Sequence, residues 1–159
     1  MQENQRTEIS TIGEFGLIKR LTEHIQIQNP ETKYGVGDDA AVLDFSNQQT
    51  LVTTDLLMEG VHFDLVYTPL KHLGYKCVTA VTGELYVEFS HPRTLDIRLG
   101  ISSKLDFKHI KEVWEGITAA AREHGFKKVN LDLLPSPNGL SISVSATGET
   151  SLLMAKRRP

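Results

Sequence analysis

Apolar residues along this chain recur with a period near 3.6 in some stretches and with a period of two in others. That mixture predicts helices and strands together. Ile12, Phe15, Ile18, Leu21 and Ile25 fall at steps of three and four and predict a first helix over about Ile12–Ile25, ended by Asn29-Pro30. A loop with Gly35-Val36-Gly37-Asp38-Asp39 follows, then two β-rich runs, Ala40–Phe45 and Thr50–Leu57, which read as a hairpin or as neighbouring strands. Leu70 to about Ala80 is helical in outline, with Leu70, Leu73, Cys77 and Ala80 on one side. From Val81 to Phe89 the pattern alternates like a strand, and Gly83 weakens a helix by roughly 1 kcal/mol relative to alanine. His91-Pro92 closes that segment, and Thr94–Ile101 alternates as a strand. The clearest helix begins after Asp106, a good N-cap, and carries Phe107, Ile110, Val113, Trp114, Ile117 and Ala121 as its stripe. Arg122 and His124 suit its C-terminal end, and Gly125 suits the left-handed position beyond it. Strands at Lys128–Leu134 and Leu140–Thr147 flank the turn Pro135–Gly139. The order α-β-β-α-β-α-β-β predicts an α+β fold, a mixed sheet of about four main strands with helices packed on one face.

Composition narrows the class without naming a chemistry. The 159 residues fit one domain, and 40% apolar with 23% charged content is ordinary for a chain that buries a core. A net charge of -3 gives no reason to expect nucleic acid or an acidic membrane as partner. The single cysteine, Cys77, rules out an internal disulfide framework and fits a reducing, cytoplasmic setting. No apolar run approaches the roughly 20 residues of a membrane span, and the polar start MQENQRTE does not read as a secretory signal. No GxxxxGK[ST] loop, GxGxxG turn or GxSxG elbow occurs.

The informative residues are acidic. Asp38 and Asp39 precede a strand, Asp55 ends the Thr53-Thr54-Asp55 run with Glu59 and His62 close behind, and Asp132 interrupts an apolar strand. Carboxylates gathered from several strand ends are a usual way to hold Mg²⁺ against nucleotide phosphates. The same residues also read as turn formers (Asp38, Asp39) and a strand-end cap (Asp55). Spacing alone leaves both readings open.

Longer motifs add a resemblance. Ser10–Phe15, Gly35–Val42, Thr53-Thr54-Asp55-Leu56-Leu57-Met58-Glu59-Gly60-Val61-His62-Phe63, Leu73–Ala80 and Leu140–Glu149 together resemble the N-terminal half of thiamine-monophosphate kinases. The wider superfamily includes aminoimidazole ribonucleotide synthetase and selenophosphate synthetase, and the TTDLLMEGVHF form points to the thiamine branch. The resemblance implies the N-terminal domain of the aminoimidazole ribonucleotide synthetase-like fold, with ATP as substrate and Mg²⁺ as cofactor. It implies metal ligation by Asp39, Thr54 and Asp55, nucleotide contact near Gly37 and Asp38, and His62 against the substrate. It also implies a homodimer whose sheets meet across a twofold axis.

The departures from that family are equally specific. Val81-Thr82-Gly83-Glu84 stands where the family has Asn-x-Ser-Asp, so the metal-binding aspartate becomes a longer glutamate, Glu84. Asn130-Leu131-Asp132-Leu133 stands where the family has Gly-Gly-Asp-Thr, keeping Asp132 but losing the glycines that let phosphate approach the backbone. Arg157, in the basic tail, falls near a nucleotide-contacting arginine of the family. The expectation is one domain over 1–159 without the family's second domain, an impaired kinase derivative. The alternative is an engineered or degenerate scaffold that only folds and self-associates.

Overall fold

The computed structural model describes residues 9–26, 28–34, 41–44 and 48–151. Its elements in chain order are α1 (Ile9–Ile12), α2 (Glu14–Thr22), β1 (Thr32–Tyr34), β2 (Ala41–Asp44), β3 (Gln49–Met58), α3 (Leu70–Val87), β4 (His91–Ile101), α4 (Phe107–Glu123), β5 (Lys128–Pro135) and β6 (Ser141–Thr150). The strands form one six-stranded mixed sheet in the order β1-β2-β3-β6-β4-β5. All neighbours run antiparallel except β4 and β5, which are parallel and joined through α4. The expected β2–β3 pairing is present, with Ala41 opposite Val52 and Asp44 opposite Gln49.

Strand parity divides the sheet into two unlike faces. Leu51, Thr53 and Leu57 of β3, Leu95, Ile97 and Leu99 of β4, and Ile142, Val144 and Ala146 of β6 are buried under the helices. Helix α3 lies on this face and packs against α4, and its Leu73, Cys77, Val78, Val81 and Leu85 complete the core. The opposite face is open. It carries a hydroxyl ladder on β6, Ser141, Ser143, Ser145 and Thr147. Its apolar side chains are fewer and gather at one end, where Leu56, Met58 and Leu134 are exposed.

The pairing of α3 with α4 depends on two glycines. A Cβ on Gly74 would stand 2.0 Å from the Val113 carbonyl oxygen, and one on Gly116 would stand 1.9 Å from that of Lys71. The helices therefore touch backbone to backbone at this crossing, which only glycine allows. Helix α4 starts and stops as its sequence indicates. Asp106 accepts a hydrogen bond from the His109 amide at 3.1 Å, and Gly125 takes φ 75° beyond the last turn.

Two expectations change. The helix expected over Ile12–Ile25 is two short ones, because Gly13 at φ 72° breaks it and the second ends at Thr22. Its stripe does not join the core: Phe15, Leu21 and Ile25 are exposed. The sheet has six strands rather than about four main ones, and β1 at one edge is the strand that the sequence pattern did not show. At residues 81–89, where the sequence leaves helix and strand open and the family resemblance favours helix, residues 81–87 continue α3 as helix, since Cys77, Val78, Val81 and Leu85 fall on one helical face and all four are fully buried. Tertiary burial here overrides the β-propensity of the segment.

Candidate functional site

Helix α3 lies over strand β3, and each of the two carries one of the acidic candidates. Thr53, Asp55 and Leu57 share the helix-facing side of β3, where the row through Asp55 continues into buried Val144. Glu84, near the middle of the last two turns of α3, reaches down so that the Thr53 hydroxyl donates to its Oε2. Glu84 therefore sits over β3, on the face that also carries Asp55 two residues along from Thr53. Asp55 itself accepts from the Leu56 amide through Oδ1 at 2.8 Å.

Thr54 points the other way. Its hydroxyl lies on the open face, 3.1 Å from the Val144 carbonyl oxygen to which it donates and 3.0 Å from Ser145 Oγ. Strand parity thus puts the Thr54 and Asp55 side chains on opposite faces of β3. Asp132 is also apart. It lies on edge strand β5, on the open face opposite Arg98, and accepts from the Leu133 amide at 2.9 Å. Strands β6 and β4 separate β5 from β3, three steps of roughly 4.8 Å each. One cation with oxygens at about 2.1 Å cannot take both Asp55 and Asp132, and the shared site expected from them is not formed. Leu131 and Leu133, where glycine and a hydroxyl were expected by resemblance, are exposed on the edge strand.

His62 sits in the turn after β3. Its Nδ1 accepts from the Met58 amide at 3.1 Å, which fixes the ring and leaves Nε2 as the outward atom. Lys76 of α3 donates to the His62 carbonyl at 2.9 Å and ties this turn to the helix. Gly37, Asp38, Asp39 and Arg157 lie outside the described residues. Among the described residues no three His, Cys, Asp or Glu side chains form a cluster that could hold a metal. Asp55 on β3 and Glu84 on α3 each offer hard oxygen donors of the kind Mg²⁺ takes, and that ion commonly uses one or two protein carboxylates and completes its shell with water and phosphate.

Cys77 is packing, not chemistry. Burial, with a smaller contribution from the charge of Asp55, pushes its thiol up to about 12. It should therefore stay unmodified by iodoacetamide at pH 8 for hours in the native protein and react fully in denaturant. Rapid native labelling would show that the α3 core opens readily.

Sequence reasoning missed Thr53. The Thr-Thr-Asp run was read for its second threonine, and only alternation along β3 shows that the first shares a face with Asp55.

Known proteins place this geometry in context. Residues 37–150 match the family described as AIR synthase related protein, N-terminal domain. The thiamine-monophosphate kinase of Aquifex aeolicus (strain VF5) is 27% identical over 148 residues, covering 93% of this chain and 46% of its own length. That of Bacillus subtilis (strain 168) is 28% identical over 139 residues, covering 87% and 42%. A solved structure of AaThiL complexed with AMPPCP and TMP has the same fold, with a TM-score of 0.79 at 23% identity, covering 96% of this chain and 47% of that one. The chain thus spans about half the length of the curated relatives it matches. Among the described residues no helix is long and apolar enough to cross a membrane.

Proposed function

The chain belongs to the family of AIR synthase related proteins, as their N-terminal domain, and on that premise we propose that it is the nucleotide-binding half of an ATP- and Mg²⁺-dependent phosphotransferase of the thiamine-monophosphate kinase type. The observation that carries this is the bond of Glu84 to Thr53, on the face of β3 that also carries Asp55. Glu84 and Asp55 would hold Mg²⁺ there, and Asp39 would add a ligand from the loop before β2. A bound Mg²⁺ would neutralise nucleotide phosphate charge and orient the phosphoryl group for transfer. The protein's own share is positioning: β3 and α3 each supply one carboxylate, and the Met58 amide fixes the His62 ring that would face substrate. By this reading a millimolar mixture of Mg²⁺ and AMPPCP raises the thermal midpoint of the wild-type chain and leaves that of Asp55→Asn unmoved. No shift in either protein would remove the reading.

A second reading, a folded scaffold without catalysis, is favoured by the other half of the geometry. Asp132 stands away from Asp55 on the opposite face, and Leu131 and Leu133 flank it. Both readings share one expectation, a homodimer through the open face of the sheet. Leu56 and Met58 on β3 and Leu134 on β5 are exposed apolar side chains there, and self-association across a twofold would cover them. Light scattering at micromolar concentration should give twice the chain mass, and Met58→Lys should shift the protein to monomer. A monomeric wild type would mean that the hydroxyl ladder of β6 lets the face stand in water.

A further inference from the structure

Strand β4 lies inside the sheet, between β6 and β5. Leu95, Ile97 and Leu99 take its helix-facing side, so Asp96 and Arg98 stand two residues apart on the open face. Asp96 accepts a hydrogen bond from Asn130 Nδ2 through Oδ1 at 2.5 Å. Arg98 is exposed, and among the described residues it makes no hydrogen bond or ion pair. Asp132, directly across from it on β5, turns its Oδ1 to the Leu133 amide instead. On the other side Arg98 faces Ser143 of β6, which offers a hydroxyl but no charge.

An unpaired charge in that position constrains any dimer formed through this face. Sheets packed face to face stand about 10 Å apart, so the second copy would take Arg98 out of water. A buried charge without a counter-charge is strongly destabilising. The spacing on β4 supplies one. A twofold axis that crosses the strands between the two sheets at Ile97 sets each Arg98 over the partner's Asp96, and the pair occurs twice. A slip of two residues either way sets Arg98 over the partner's Arg98, or Asp96 over the partner's Asp96, and is opposed by like charge.

On the homodimer reading, on which this rests, we infer that Asp96 and Arg98 fix the register of self-association, with each Arg98 seated on the partner's Asp96. The exposed apolar side chains of the face contribute area. The β4 charges choose the alignment.

The test is sedimentation velocity over a dilution series. It compares wild type, Arg98→Asp, Asp96→Arg, an equimolar mixture of these two variants, and the chain that carries both changes. Each single change sets like charges together twice and should weaken dimerisation at least about thirtyfold. The mixture should form a heterodimer and the doubly changed chain a homodimer, both near wild-type affinity, a recovery that a folding defect in either single variant would not allow. Unchanged affinity in both single variants overturns the pairing while leaving the homodimer standing. So do single variants that dissociate and recover neither in the mixture nor in the doubly changed chain. A monomeric wild type is a different result, and it overturns the homodimer and the pairing together.

Discussion

Replacing Gly116 by valine should cost this domain more stability than any surface change, roughly 3 kcal/mol at the upper end of overpacking effects. A Cβ at that position would overlap the Lys71 carbonyl oxygen, and at Gly74 it would overlap that of Val113. Both obstacles are backbone, so no side chain can swing aside. The helices must separate, and α3 and α4 between them supply Leu73, Val78, Val113 and Ile117 to the core. A loss of that size lowers the thermal midpoint of a domain this large by roughly 6–12 °C. Gly83→Ala is the matched control. It also puts a Cβ on a helical glycine, but into open space, so it should leave the midpoint unchanged or raise it through better helix propensity. If Gly116→Val melts with the wild type, the close crossing of α3 and α4 is wrong.

Thiamine-monophosphate phosphorylation by this chain alone should not rise above background. Asp132 does not join Asp55 and Glu84, and Leu131 and Leu133 occupy the strand where close backbone approach to phosphate was expected. Removal of one preorganised electrostatic contributor typically costs roughly 10²–10³-fold in rate. Two independent losses multiply, to roughly 10⁴–10⁶-fold. A coupled assay should therefore give the same slope for wild type and Asp55→Asn. Mg²⁺-dependent thiamine diphosphate formation that disappears in Asp55→Asn would overturn this expectation.

The parts of the fold that were legible in the sequence are those set by local chemistry. Asp106 and Gly125 bracket α4 because an N-cap acceptor and a left-handed residue are needed at fixed places beside a helix. The stretch after Val81 was ambiguous for an equally physical reason. Val81, Leu85 and their partners satisfy the helical spacing, while Gly83 and Val87 supply the alternation, and only burial decides between them. Burial falls on Val81 and Leu85, whereas Val87 is exposed. The first helix was misread because Gly13 was counted as one more helical position, though its positive φ ends one segment and begins another. At the site, the identity of Asp55 and Glu84 as candidates was visible in the motifs. Their geometry was not, because it depends on which strands neighbour one another. The order β3-β6-β4-β5 carries Asp132 away from β3, and no local pattern contains that order. The partition of Thr53 and Thr54 between two faces needed the phase of β3 against the helices.

Binding of a Mg²⁺-nucleotide at α3 and β3 is the claim on which the functional reading stands, and calorimetric titration measures it most directly. AMPPCP is titrated into the wild-type chain with and without millimolar Mg²⁺, and the same series is run on Asp55→Asn and Glu84→Gln. The account predicts a saturable heat for the wild type that requires Mg²⁺, with weaker binding in both variants, since truncating either charge removes a ligand. Mg²⁺-independent heat of equal size in all three proteins, or no heat in the wild type, would contradict it.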